Sequence, residues 1–220
     1  MARIVITGAN RGIGLALVQE CVKRGDEVIA ACRTSSPELD SLAVEVVTGI
    51  EVSRDDGVAA LPRALGGRGV DVLINNAGVH CSDSLGRIDF DRIRLQLETN
   101  ALGPIRVTEA LLPNLKSGAR VAIITSRSGS IGDNGSSGNY GYRMSKAAVN
   151  MAGVNLALDL KGRGVAVAIL HPGMVRTDMG GSPQSVEPAD AARRLMARID
   201  ELTIERTGKF LHAEGYALPW

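Results

Sequence analysis

The sequence predicts an α/β domain whose strands form a parallel sheet covered by helices on both faces. Three observations carry this. Short apolar runs alternate along the chain with stretches of helical spacing. The runs are nearly continuous in apolar residues, as strands buried on both faces require. Glycine-rich or polar stretches follow the runs, at 8–14, Arg33, 75–78, Ser126 and 172–173. In such sheets ligands bind beyond the carboxyl ends of the strands, so these stretches are expected to converge on one cleft.

The elements follow in order. A short β-branched run at 3–6 ends in a glycine turn. A helix is expected over 13–24, where Ile13, Leu17 and Val18 share a side and Gly25 stands just past the end. A second strand is expected at 28–32, and 42–47 with 49–52 together suggest a third. A helix over 58–65 precedes a fourth strand at 70–74, which ends at Asn75-Asn76-Ala77-Gly78. Residues 90–115 read as one long helix bent at Gly103-Pro104. A fifth strand at 120–125 leads into the Gly/Ser/Asn-rich loop 126–139. A helix over 142–161, a sixth strand at 165–170, a helix over 188–201 and a last strand at 208–212 complete the chain.

Composition narrows the function classes. The 220 residues suffice for one α/β domain and are too few for two comfortable ones. The formal net charge is +1 with charges interspersed, so nothing draws nucleic acid or an acidic membrane. Aromatics are 3%, too few for a base-stacking surface. Cys21, Cys32 and Cys81 form no CxxC or Cys/His cluster, so neither a disulfide framework nor a metal site is expected. No signal-peptide pattern and no apolar run of transmembrane length is present, and a cytoplasmic location is the expectation.

The turn Thr7-Gly8-Ala9-Asn10-Arg11-Gly12-Ile13-Gly14 joins the first strand to the first helix. Its glycines let the backbone turn tightly and approach a pyrophosphate. The helix N-terminus offers free N–H groups and a positive dipole end. The spacing G-x-x-x-G-x-G departs from the common dinucleotide pattern G-x-G-x-x-G. An NAD site usually has an acid at the end of the second strand for the ribose 2′-hydroxyl. Here that strand ends Ala30-Ala31-Cys32-Arg33. A guanidinium suits a 2′-phosphate instead, and Arg11 offers a second positive charge, so NADP(H) is expected.

Tyr142 and Lys146 stand four residues apart, on one helix face. A nearby ammonium favours the phenolate and lowers the tyrosine pKa from about 10. Such a tyrosine can protonate a carbonyl oxygen as hydride arrives, or take the proton from an alcohol in reverse. Ser126 ends the fifth strand and points at the same cleft. Asn100 lies inside a helix, where asparagine is mildly unfavourable.

Taken together these pieces resemble the short-chain dehydrogenase/reductase family. The resemblance rests on the turn 7–14, Asn75-Asn76-Ala77-Gly78, Asn100, Ser126, Tyr142-x-x-x-Lys146 and Pro172-Gly173-x-x-x-Thr177, in the family's order over most of the chain. It implies a doubly wound Rossmann sheet of seven parallel strands in a single domain. It also implies a catalytic tetrad of Asn100, Ser126, Tyr142 and Lys146. In that scheme Ser126 orients the substrate, Tyr142 is the acid/base, and Lys146 lowers the tyrosine pKa and holds the nicotinamide ribose. Asn100 keeps a water that links the lysine to solvent, and the pro-S hydride is transferred. The expected cofactor-binding set is Gly8, Asn10, Arg11, Gly12, Ile13, Gly14, Arg33, Glu51, Val52, Asn76, Ala77, Gly78, Asn100, Tyr142, Lys146, Pro172, Gly173, Val175 and Thr177. The stretches 126–132 and 140–148 and the ending Leu218-Pro219-Trp220 resemble the C-factor/sniffer branch. That branch includes carbonyl reductases and a protein implicated in bacterial intercellular signalling.

Some choices stay open in the sequence. The gap from Ser126 to Tyr142 is about three residues longer than in many members, so Ser128 and Ser130 rival Ser126. Tyr140 rivals Tyr142 but has Met144, not lysine, four residues on. The acid for the adenine is Glu51 or Asp55. His80, Cys81 and Arg127 are candidates to line the pocket. The short stretch between Gly173 and Pro188 predicts an open substrate pocket that tolerates varied carbonyls. The expected partner is a small carbonyl or alcohol. The apolar surface of the helices at 90–115 and 142–161 predicts a homodimer or homotetramer.

Overall fold

The structure, a computed structural model, describes residues 1–220 apart from 179 and 181. Seven parallel strands form one sheet in the order β3-β2-β1-β4-β5-β6-β7. They are β1 (Arg3–Thr7), β2 (Glu27–Ala31), β3 (Glu45–Val47), β4 (Val70–Asn75), β5 (Leu115–Ile124), β6 (Ala166–His171) and β7 (Phe210–His212). The order reverses between β1 and β4, so the crevice of a doubly wound sheet opens there.

One face is covered by α1 (Gly12–Lys23) and α7 (Pro188–Asp200), packed over Ile4, Ile6, Val72 and Ile74. The other is covered by α3 (Ala60–Leu65), α4 (Phe90–Leu97), α5 (Gly103–Ala110) and α6 (Tyr140–Lys161), over Val5, Leu73, Val121 and Ile123. Alternate residues of each strand thus feed two cores, as the two-residue strand period dictates. A short α2 (Pro37–Asp40) follows β2, capped by the Ser36 hydroxyl, which accepts the Leu39 amide at 3.3 Å. Among the described residues no helix is long and apolar enough to cross a membrane.

The structure corrects three expectations. The third strand is only Glu45–Val47, because the chain leaves the ladder at Gly49, whose backbone is left-handed (φ 74°). The long helix at 90–115 is three pieces: α4, a π-turn at Glu98–Leu102, and α5. It ends at Ala110, ahead of Pro113, and Leu115 already belongs to β5. Helix α6 begins at Tyr140, two residues before its expected start. The short α2 was not anticipated.

Candidate active site

A cleft of about 600 Å³ runs along the carboxyl ends of the strands. Its walls include the glycine turn, Arg33, Glu51, Val52, the 76–78 loop, Tyr142, Lys146, Pro172 and Thr177. Of the expected residues, Asn100, Ser126, Gly173 and Val175 stand behind or beside these walls. Val175 is buried, in a bridge to Val186.

The floor of the cleft is a cradle that only glycine fits. Gly8 is left-handed (φ 65°), and a Cβ on it would lie 2.8 Å from Ala77 Cα. A Cβ on Gly14 would overlap the Gly8 carbonyl oxygen. Helix α1 starts on Arg11 with no side-chain cap and no acid in its first turn. Its N–H groups therefore face the turn, where a phosphate is favoured. The Asn76 and Ala77 amides donate to Thr7 Oγ1 at 3.0 and 3.1 Å, and Asn76 Nδ2 donates to the Thr7 carbonyl at 3.0 Å. The loops after β1 and β4 are thus tied together at the switch point.

At the outer end Arg33 Nη1 lies 3.4 Å from Glu51 Oε2. Burial works to raise the Glu51 carboxyl, but hydrogen bonds from Ser53 and the charge of Arg33 hold it below its ordinary range. Asp55 instead takes a 2.6 Å bond from Arg106 and is not part of the wall, which favours Glu51 as the acid at this end. Across the mouth Arg11 pairs with Asp178 at 3.6 Å. The cradle, the uncapped helix start and the two arginines fit a phosphorylated dinucleotide.

At the inner end the Ser126 hydroxyl stands close enough to the Tyr142 phenol to act on its pKa. Ser126 Oγ accepts the Ser128 amide at 3.1 Å, so Ser128 braces Ser126. Ser130 is buried and donates to the Trp220 carbonyl at 3.2 Å. Tyr140 is partly exposed in the first turn of α6 and is not in the wall. Lys146 Nζ donates to the Ile124 carbonyl at 3.0 Å and lies 5.7 Å from the Tyr142 ring centroid. Burial depresses Lys146 to about 8. Burial also raises Tyr142 above its ordinary value, with the Ser126 hydroxyl acting the other way. The expected net lowering of Tyr142 by Lys146 is therefore not found: desolvation of the phenol outweighs the opposing effect of Ser126.

The family model for short chain dehydrogenases matches residues 2–187. The chain belongs to the short-chain dehydrogenase family. A 1-hydroxy-2-glutathionyl-2-methyl-3-butene dehydrogenase of Rhodococcus sp. (strain AD45) is 43% identical over 226 residues, covering 100% of both chains. The C-signal protein of Myxococcus xanthus is 47% identical over 156 residues, covering 69% of this chain and 93% of its own length. The NADPH-bound carbonyl reductase from chicken fatty liver superposes with a TM-score of 0.92 at 28% identity, covering 100% of this chain and 99% of that one.

In this short-chain dehydrogenase Asn100 sits in the π-turn. Its Oδ1 accepts the Val79 amide at 2.8 Å, and its Nδ2 donates to the Val79 carbonyl at 2.8 Å and to Ser145 Oγ at 2.9 Å. The side chain is spent on joining the loop after β4 to α6. Pro104 has no N–H to offer the carbonyl four residues back, which is that of Asn100. His80 meets the Tyr142 ring edge-on, with centroids 4.7 Å apart, and His80 and Cys81 line the cleft. Arg127 turns aside to pair with Asp133 at 2.7 Å. The sequence reading missed Leu95, Thr99 and Asp178 in the wall and Ser145 behind it. None carries a local motif, and only the fold brings them there.

Proposed function

We propose that this chain is an NADP(H)-dependent oxidoreductase that interconverts a carbonyl and an alcohol, with Tyr142 as acid and base. The observation that carries the reading is the meeting of Ser126, Tyr142 and Lys146 at the end of β5, beside a cleft built for phosphates. The nicotinamide, when bound, supplies or accepts the hydride. The turn 8–14 and the start of α1 hold the pyrophosphate, and Arg33 with Arg11 takes the 2′-phosphate. Glu51 and Val52 border the adenine. Asn76-Ala77-Gly78, Pro172, Gly173, Val175 and Thr177 flank the nicotinamide end.

The Ser126 hydroxyl orients the substrate oxygen, and Tyr142 gives it a proton or removes one. A raised phenol pKa keeps Tyr142 protonated at neutral pH, which suits carbonyl reduction. With a pKa of about 8, Lys146 is mostly charged at neutral pH and favours the phenolate left after proton transfer. The Asn100 backbone carbonyl, which receives no N–H from Pro104, is our candidate to hold the water of a proton path to Lys146.

The test is NADPH oxidation at neutral pH against ketones, aldehydes and quinones, with wild type beside Tyr142→Phe. The glutathionyl alcohol named for the Rhodococcus relative belongs in the panel with NADP⁺, given the full-length match. A loss of turnover of about 100-fold or more in Tyr142→Phe, with NADPH binding kept, is the expected outcome. A second reading is an intercellular-signalling protein, favoured by the similarity to C-signal. Tight NADPH binding without turnover on any substrate would favour it. We further infer a cytoplasmic homodimer or homotetramer, supported by the exposed Met151 and Leu158 on α6.

A further inference from the structure

Helix α6 carries both Tyr142 and Lys146, yet it has no cap of its own. Asn139, at its N-cap, is left-handed (φ 53°) and its side chain makes no capping bond. The free amides are met from another part of the chain. Asp83 Oδ1 accepts the Tyr140 amide at 2.7 Å, and Oδ2 accepts the Gly141 amide at 3.0 Å. The Asp83 carbonyl accepts the Asn139 amide at 2.9 Å. The loop that supplies Asp83 is itself pinned at alternate residues. Val79 is held by Asn100, and the Cys81 amide donates to the buried Gln96 Oε1 at 2.9 Å. His80, between these anchors, is the residue against the Tyr142 ring.

We propose that Asp83 is a positioning residue, whose carboxylate caps the catalytic helix from the loop after β4 and so fixes Tyr142 against the substrate wall. The proposal rests on the reading of Tyr142 as the acid and base. Geometry gives the first reason. Tyr142 lies one residue beyond the capped amides, so fraying of that turn moves its hydroxyl directly, while the phosphate cradle is held by other bonds. Charge gives the second. The N-terminal end of a helix is positive and favours a phenolate, and a carboxylate at that end offsets it. Asp83 therefore helps keep Tyr142 protonated, as a proton donor needs. The other groups facing Tyr142 are the Ser126 hydroxyl, Lys146 and His80. Arg127, from the loop after β5, is paired to Asp133.

The experiment compares wild type, Asp83→Ala and Asp83→Asn. The readouts are kcat, KM, NADPH Kd and the pH profile of reduction. Asparagine keeps one acceptor and loses the charge. Asp83→Ala is expected to lower kcat about ten-fold with NADPH Kd changed less than two-fold. Asp83→Asn is expected to recover most of kcat at neutral pH, with its alkaline limb moved down by roughly half a pH unit. Phenolate absorbance titrations of each protein against its Tyr142→Phe partner read the same shift without turnover. The cap thus stays testable if wild type reduces no carbonyl, an outcome that would sink only the reductase reading. Unchanged kcat in Asp83→Ala, or an unmoved phenolate titration in Asp83→Asn, overturns the proposal. So does a parallel loss of kcat and NADPH binding, which marks a merely structural residue.

Discussion

Two side chains set the chemistry of the cleft through charge. Arg33 ends the second-strand region without an acid beside it in sequence, but the fold brings Glu51 to it at 3.4 Å. A guanidinium in that place prefers a phosphate to a hydroxyl. Arg33→Asp is expected to weaken NADPH binding at least ten-fold more than NADH binding, measured by fluorescence titration. Equal losses for both cofactors would reject the assignment. Lys146 is held below its ordinary value, at about 8 against 10.5. Between those values the unfolded chain binds more protons than the folded one, so stability rises with pH across that window. Burial of the ammonium thus costs the fold fully below pH 8 and less above it. Lys146→Met is expected to raise stability at pH 7 by on the order of 2 kcal/mol, after allowance for the orphaned Ile124 carbonyl. The gain should shrink toward pH 10, and denaturant melts at the two pH values check it.

At the scale of elements the site depends on how α4, the π-turn and α6 approach one another. Helix α6 presents Gly141 to α4, and a Cβ there would press on Gln96 Nε2 and lie 3.1 Å from Ile93 Cα. Gly141→Ala is expected to destabilise the protein by about 1–3 kcal/mol. It should also lower kcat, since the turn that moves carries Tyr142. A thermal melt and a rate identical to wild type would show that the helices separate without cost. The bend expected at Gly103-Pro104 falls in the π-turn at Glu98–Leu102 just before it. The cause was visible in Pro104, while the form of the distortion was not. A missing N–H marks a break in the helix but leaves open whether the chain kinks or widens.

Over the whole molecule, the exposed apolar side chains of α6 include Met151 (63% exposed) and Leu158 (69%). Two such residues on one long helix support assembly between copies. Light scattering at micromolar concentration is expected to give a dimer or tetramer, and Leu158→Lys with Met151→Lys to shift it toward monomer. A wild-type monomer would remove the assembly from the proposed function. The parallel sheet, legible in the sequence, fixes the cleft at the carboxyl ends of its strands, while the switch point between β1 and β4 came only with the strand order. The stretches at 8–14, Arg33 and 75–78 contribute to the wall, as does Pro172, whereas Ser126 and Gly173 stand beside or behind it.

The sequence by itself determined the alternation of strand and helix, the phosphate turn, the Tyr142–Lys146 pair and the basic end of β2. Each is local: a period, a spacing or a residue type at a strand end. Only the tertiary structure decided what long-range contact decides. It brought Ser126 near Tyr142, laid the Ser128 amide on Ser126, turned Ser130 to the Trp220 carbonyl and sent Asp55 to Arg106. It also brought Asp83 to the start of α6. Burial reversed the expected direction of the Tyr142 pKa, because desolvation is a property of the packed surroundings and leaves no mark on the local sequence.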